Sequence, residues 1–155
     1  MNQSSANKMS QGRPEVALDL IPVAVECDLA LPLAFTALSA GFPSAALDFD
    51  ETRIDLNKEL IAHPATTFFG RVRGDSMRDA GIGDGDLLVI DKGLDPVSGK
   101  VAVCFIDGEF TLKRILIEKG KTWLLPANPD YPPIEIKEAN DFRVWGIVTY
   151  SIKKH

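Results

Sequence analysis

The sequence predicts a mostly β domain with one short helix, preceded by a flexible N-terminal arm. Short apolar runs bounded by Gly, Asp and Pro dominate from about residue 42 onward, as in β-rich domains. The 155 residues are 45% hydrophobic, enough for one buried core, and ten Pro and twelve Gly favour turns over a helical bundle. The first 40 residues hold three prolines and no sustained helical period. We therefore expect an arm at residues 1–40 and a domain at residues 41–155.

The predicted elements follow in order along the domain. Residues 53–62 place Ile54, Leu60 and Ile61 among charged residues ahead of Pro64, which predicts the short helix. Runs rich in Val, Ile, Leu and aromatic residues then predict strands at 68–73, 87–91, 101–106, 109–117, 122–125 and 142–153. The third and fourth runs are joined by Asp107-Gly108 alone, and a two-residue link fits a tight turn with both residues at positive φ. Residues 101–117 should therefore form a β-hairpin.

Charge and composition exclude several classes of function. The net charge of -5 opposes direct binding to nucleic acid, which depends on Lys and Arg. Two cysteines and two histidines stand far apart, so the sequence shows no metal site and suggests no cofactor. The two cysteines do not form the pattern of a disulfide framework, so the sequence is compatible with the reducing environment of the cytoplasm. The uncharged stretch 29–47 is interrupted by Pro32 and Pro43 and lacks a positive flank, which disfavours a signal peptide or membrane anchor.

The first candidate for chemistry is Ser76, in Gly74-Asp75-Ser76-Met77 directly after a predicted strand. A serine on a Gly-supported turn at a strand end can project its hydroxyl into a cleft, with neighbouring backbone N–H groups placed to receive an oxyanion. Gly, Asp and Ser are also ordinary turn residues. Turn chemistry alone therefore leaves a structural role open.

A serine hydroxyl becomes a nucleophile when a base removes its proton. His63 stands beside Pro64 at a predicted helix end, and His155 is the final residue, so a Ser-His-Asp triad is disfavoured. A buried lysine is the other candidate, because apolar surroundings disfavour its charged form.

Lys113 lies in the predicted strand 109–117, and alternation places it on one face with Thr111, Ile115 and Ile117. Arg114 points to the opposite face, and periodicity does not say which cation is buried. A guanidinium cannot act as a base, which leaves Lys113 as the candidate. The alternative is that Lys113 protects an exposed strand edge from aggregation.

Several motifs together carry a family resemblance across most of residues 40–150. They are Ala40-Gly41-Phe42-Pro43-Ser44, the run at 53–56 with His63-Pro64, Gly74-Asp75-Ser76-Met77, Gly83-Asp84-Gly85-Asp86-Leu87-Leu88 and Asp107-Gly108-Glu109-Phe110-Thr111-Leu112-Lys113. In their order, and in the separation of serine from lysine, they resemble the UmuD and LexA family of self-cleaving serine peptidases.

The resemblance implies a curved β-sheet like the peptidase domain of LexA and UmuD, carrying a Ser-Lys dyad. Ser76 matches the family's nucleophile, Lys113 its general base, and Ala40-Gly41 the bond that the family cuts in its own arm. The backbone N–H groups of Ser76 and Met77 are the expected oxyanion donors. Ala-Gly is the LexA-like cleavage pair, whereas the best-known UmuD has Cys-Gly.

The resemblance also implies partners. It predicts a cytoplasmic homodimer whose cleavage is stimulated by RecA filaments on single-stranded DNA in the SOS response. The cut dimer would serve a UmuC-type error-prone polymerase, DNA polymerase V, in translesion synthesis. Pro32 and Leu33 match the place where the family's arm contacts the replicative sliding clamp.

Three alternatives stay open. A non-catalytic module of the same fold could bind the polymerase or the clamp. A phage-type repressor fragment is a less favoured alternative, and a free-standing repressor is disfavoured because 40 residues with three prolines cannot comfortably build a helix-turn-helix domain. A relative of the signal peptidases would use similar Ser-Lys chemistry but needs a membrane anchor.

Overall fold

The computed structural model describes residues 19–23, 30–32 and 53–155. Within these ranges one α-helix, α1, spans Leu56–Leu60, and a 3-10 turn spans Arg78–Ala80. The strands are β1 (Asp19–Pro22), β2 (Ala30–Pro32), β3 (Arg53–Asp55), β4 (Thr67–Arg71), β5 (Leu87–Asp91), β6 (Val101–Ile106), β7 (Glu109–Glu118), β8 (Lys121–Leu125), β9 (Ile134–Ile136) and β10 (Phe142–Ile152). The predicted mostly β fold with one short helix is confirmed.

Eight of these strands form one antiparallel sheet in the order β1-β4-β5-β10-β6-β7-β8-β9. Strands β2 and β3 form a separate antiparallel pair. The register of β10 shifts between Val144 and Gly146 and again between Val148 and Tyr150. β10 lies between β5 and β6, and such bulges bend a strand and increase its twist.

The predicted hairpin is confirmed. β6 and β7 pair antiparallel up to the Ile106–Glu109 pair, and Asp107-Gly108 forms the link. Both link residues have positive φ, 48° for Asp107 and 94° for Gly108, as a two-residue turn requires. This turn fixes the register that sets Lys113 opposite Ala102.

The predicted helix at 53–62 is shorter than the sequence pattern indicated. Residues Arg53–Asp55 form β3, which pairs with β2, and helix α1 begins after Asp55. The Asp55 side chain caps the helix by accepting a hydrogen bond from the Asn57 N–H at 3.0 Å. The pairing partner lies more than twenty residues earlier in the chain, so a local pattern could not reveal the strand.

Two short strands lie inside residues 1–40, where the sequence predicted an arm. Strand β1 pairs with β4 at one edge of the large sheet, and Leu20 packs against the core. β1 ends at Pro22 and β2 at Pro32. Proline is tolerated at such edge positions because its missing N–H is not needed for pairing. The same prolines hid both strands from a reading of the sequence.

The core consists of two buried clusters. The first contains Val72, Met77, Ile82, Leu88, Ile90, Val103 and Leu112, and the second contains Ala102, Cys104, Ile115, Leu124 and Ile147. Cys104 is fully buried, and this burial raises the pKa of its thiol to about 12. Among the described residues, none of the helical segments has the length and apolar character needed to cross a membrane.

Candidate active site

Ser76 lies on a turn between β4 and β5. Gly74 has a φ of 96°, which favours glycine, and its N–H donates to Asp84 Oδ1 at 2.8 Å. Val72 holds the two sides of the turn together, since its N–H donates to the Asp86 carbonyl and its carbonyl accepts from the Gly85 N–H. The Ser76 side chain is 2% exposed. The Ser76 hydroxyl is therefore buried, and the hydrogen bonds of the turn fix the backbone that carries it.

Two acidic residues, Asp84 and Asp86, stabilise this turn. Asp86 accepts hydrogen bonds from the Gly83 N–H at 2.8 Å and from Lys153 Nζ at 2.7 Å. Burial alone would raise the pKa of Asp86, but these hydrogen bonds outweigh it and hold the pKa below its usual range. Within the described ranges no group of three or more His, Cys, Asp and Glu residues is arranged to hold a metal ion.

Lys113 reaches Ser76 from the middle of β7. Its side chain is 0% exposed, and Nζ lies 3.2 Å from Ser76 Oγ. Nζ also lies 2.8 Å from Thr111 Oγ1 and 3.2 Å from the Leu112 carbonyl oxygen. The structure thus brings together the two side chains to which the sequence assigned the chemistry.

The structure decides which cation is buried, a question that periodicity left open. Arg114 is half-buried, and its guanidinium donates to the Gly99 carbonyl at 2.6 Å. The alternative role for Lys113, an edge-strand lysine, is wrong, because β7 is flanked by β6 and β8. The chain buries the cation that can lose its proton.

The contacts of Lys113 Nζ suit an amine that accepts a proton. A neutral amine has two N–H donors and one lone pair. In a neutral Lys113, Thr111 Oγ1 and the Leu112 carbonyl can accept the two N–H groups, and the lone pair can be directed at Ser76 Oγ. The Ser76 hydroxyl can then donate its proton to Nζ. The fully buried Nζ and the Ser76 hydroxyl are thus placed for the proton transfer that makes a serine a nucleophile.

The backbone beside Ser76 offers two amides for an oxyanion. Met77 is 2% exposed and precedes the 3-10 turn Arg78–Ala80, where Ala80 N–H donates to its carbonyl. Among the described residues, neither the Ser76 nor the Met77 N–H donates to a protein acceptor. Both donors remain available for a substrate oxygen.

His63 forms a different pair. Its Nδ1 lies 2.6 Å from Asp91 Oδ2, and both residues line a cavity of about 570 Å³ that neither Ser76 nor Lys113 lines. Burial alone would raise the pKa of Asp91, but hydrogen bonds from His63, Thr66 and the Gly93 N–H together lower it. The serine's hydrogen-bond partner is thus a lysine.

Some predicted site residues lie beyond what the structure describes. Ala40, Gly41 and Leu33 fall outside the described residues. Pro32 is the last residue of β2 and is paired with Arg53. The scissile bond and the clamp contact therefore remain sequence predictions, as do the catalytic roles of Ser76 and Lys113.

The segment after β8 is a part of the site that sequence reasoning missed. Asn128 is 3% exposed, and its Nδ2 donates to the Asp75 carbonyl at 3.0 Å. Ala127 N–H donates to the Ser76 carbonyl at 2.8 Å. The Asn128-Pro129 pair is an ordinary turn signal. Its contacts with the serine turn are visible only in the structure.

Comparison with known proteins shows the family to which the chain belongs. Residues 32–149 match the family described as Peptidase S24-like. The chain is 44% identical over 123 residues to protein SamA of Salmonella typhimurium, covering 79% of this chain and 85% of SamA. It is 39% identical over 126 residues to protein MucA of Escherichia coli, covering 81% of this chain and 86% of MucA.

A repressor also matches, over a smaller share of its length. The LexA repressor of Xylella fastidiosa is 43% identical over 110 residues, which cover 71% of this chain and 52% of the repressor. The similarity to both kinds of protein confirms the resemblance that the motifs carried.

Proposed function

Since this chain belongs to the Peptidase S24-like family, we propose that it is a serine peptidase that cuts its own Ala40-Gly41 bond with Ser76 and Lys113. The observation that carries the proposal is the fully buried Lys113 with Nζ 3.2 Å from Ser76 Oγ. Burying an amine in a β-sheet is costly, so a fully buried lysine beside a serine hydroxyl points to a functional role.

Acylation begins when Ser76 Oγ attacks the Ala40 carbonyl carbon and its proton passes to Lys113 Nζ. The negative charge that develops on the carbonyl oxygen is stabilised by the Ser76 and Met77 N–H groups. The tetrahedral intermediate then collapses, and the Lys113 ammonium gives its proton to the departing Gly41 nitrogen. The C–N bond breaks, leaving Ala40 esterified to Ser76.

Deacylation reverses the roles. Lys113 Nζ takes a proton from a water molecule, whose oxygen attacks the ester carbonyl of Ala40. Collapse returns the proton to Ser76 Oγ and releases residues 1–40 with a free carboxylate. Small residues on both sides of the bond allow the segment to approach the hydroxyl closely.

Cleavage would change the edges of both sheets. Strands β1 and β2 lie on the N-terminal side of Ala40, while their partners β4 and β3 lie on the C-terminal side. A tether keeps such a strand at an effective concentration of about millimolar, and cutting removes this advantage. The edges of β4 and β3 then become accessible to other proteins.

The partners that we propose are those that the family resemblance implies. We propose a cytoplasmic homodimer, cleavage stimulated by RecA filaments, and a role of the cut dimer beside a UmuC-type polymerase. A clamp contact at Pro32 and Leu33 would belong to the uncut form, because both residues precede Ala40. The net charge of -5 fits contact with RecA protein and the polymerase better than with nucleic acid itself.

Incubation of the purified chain tests the proposal. We expect a fragment that begins at Gly41, formed faster with RecA filaments, and no fragment from Ser76→Ala. A Gly41→Glu variant should stay uncut while its Ser76 still reacts with a small serine-directed probe. Intact wild-type chain after incubation with RecA filaments would favour a non-catalytic binding module instead.

A further inference from the structure

The segment that follows β8 holds the serine turn from one side. Asn128 Nδ2 donates to the Asp75 carbonyl at 3.0 Å and lies 3.3 Å from Asp75 Oδ2. Its Oδ1 accepts from Arg78 Nη2 at 3.2 Å and from the Asp130 N–H at 3.0 Å. With all of these contacts and 3% exposure, the Asn128 amide has one defined orientation.

The Asp75 carbonyl and the Ser76 N–H belong to the same planar trans peptide unit. Fixing the direction of the carbonyl oxygen therefore fixes the direction of the N–H on the opposite side of the plane. The carbonyl accepts from Asn128 and also from the Arg78 N–H at 3.1 Å. The Ser76 N–H is thus aimed by contacts that it does not make itself.

The next peptide unit is held from the same segment. Ala127 N–H donates to the Ser76 carbonyl at 2.8 Å, and that carbonyl shares its plane with the Met77 N–H. The Asp79 N–H in turn donates to the Ala127 carbonyl at 2.7 Å. Residues 127 and 128 thereby orient the peptide units of both candidate oxyanion donors.

We infer that Asn128 is a positioning residue that aims the Ser76 N–H at the developing oxyanion, an inference that rests on the proposed function. Asn128 does not touch the reacting atoms. It acts because a donor stabilises a transition state only when it is already directed at the site where charge develops. The Lys113 contacts do not involve Asn128, so oxyanion stabilisation and proton transfer can be separated by experiment.

Two variants of the full chain test this role. Asn128→Ala removes the side-chain donor, and Asn128→Asp keeps the size but turns the donor into an acceptor that repels the Asp75 carbonyl. Removing an oxyanion donor outright slows serine peptidases by roughly 10²–10³-fold. Because the Arg78 N–H still holds the Asp75 carbonyl, we expect each variant to slow the limiting cleavage rate by about 10- to 100-fold.

The pH profile and a boronic acid distinguish positioning from loss of fold. The pH of half-maximal rate should stay at the wild-type value, since the base is unchanged. Affinity for a small alkyl boronic acid, whose tetrahedral adduct on Ser76 resembles the intermediate, should fall by the same factor as the rate. Phe142→Leu, which loosens the second core cluster, serves as the destabilised control and should keep both the limiting rate and the boronate affinity.

Different outcomes test the positioning role of Asn128 and the proposed self-cleavage by Ser76 and Lys113. Wild-type cleavage with an unslowed Asn128→Ala overturns the positioning role alone. A slowed variant with unchanged boronate affinity or a shifted pH profile also overturns it. A wild-type chain that neither cuts nor captures the boronic acid overturns the proposed function and, with it, this inference.

Discussion

Replacing Lys113 with methionine separates its chemistry from its packing. Lys113→Met keeps an unbranched side chain of similar size in a position that is 0% exposed. It removes the polar contacts that Nζ makes with Ser76, Thr111 and Leu112, each worth about 0.5–1.5 kcal/mol net, and it also removes the cost of burying an amine. These effects oppose each other, so the free energy of unfolding should change by less than about 2 kcal/mol.

The cleavage rate should respond very differently. Loss of a general base costs about 10²–10⁴-fold, so Lys113→Met should be cut at least about a hundred times more slowly than wild type. Lys113→Arg is a poorer test, because a larger, permanently charged guanidinium cannot enter the closed position without displacing its neighbours.

The assay follows the fragment beginning at Gly41 by mass spectrometry, with urea unfolding measured on the same samples. Lys137→Met makes the same change at an exposed position and should leave both quantities at wild-type values. If Lys113→Met cuts at more than about a tenth of the wild-type rate, Lys113 is not the general base. A change in stability well above 2 kcal/mol would refute the packing estimate.

Three further predictions concern the fold around the site. Because burial raises the pKa of the Cys104 thiol to about 12, a Cys27→Ser chain should resist iodoacetamide at pH 8 until urea unfolds it, and rapid labelling of the folded chain would contradict this. The folded pKa of Asp91 is lowered, so its contribution to stability is present above the unfolded value of about 3.9 and is lost as pH falls through the folded value. Asp91→Asn should therefore reduce the difference between urea midpoints at pH 7 and pH 3, and an undiminished difference would show that this carboxylate is not responsible. A Cβ at Gly146 would meet Ile90 Cγ2 at 2.7 Å, so Gly146→Ala should lower the free energy of unfolding by about 1–3 kcal/mol, and an unchanged urea midpoint would refute the overpacking.

Patterns in neighbouring residues predicted the strands and turns that depend only on neighbouring residues. Strands β5 and β6 have the predicted bounds, and the Asp107-Gly108 turn follows from its two-residue length. The strands β1, β2 and β9 escaped prediction because each has only three or four residues, and β1 and β2 also depend on pairing with partners far along the chain. Strand length and alternation carry no information about such partners.

In the site, too, the sequence predicted the features that depend on neighbouring residues and missed those that depend on distant contacts. The types of residue needed for Ser-Lys chemistry could be named from Ser76 and Lys113 together with the family resemblance. That Lys113 is in an interior strand depends on the turn at Lys119-Gly120, where both residues have positive φ and β8 folds back along β7. The contact of Asn128 with Asp75 spans 53 residues, and no pattern in the sequence links them.

The rate of self-cleavage as a function of pH shows most directly whether a lysine is the base. A lysine must first lose its proton, and free lysine titrates near 10.4, so cleavage by wild type and by His63→Ala should rise together as pH increases from about 6 to about 10. Lys113→Met should lose this rise. Free histidine titrates near 6.5, so a rate that levels off by about pH 7.5 and disappears in His63→Ala would mean that His63, and not Lys113, is the base.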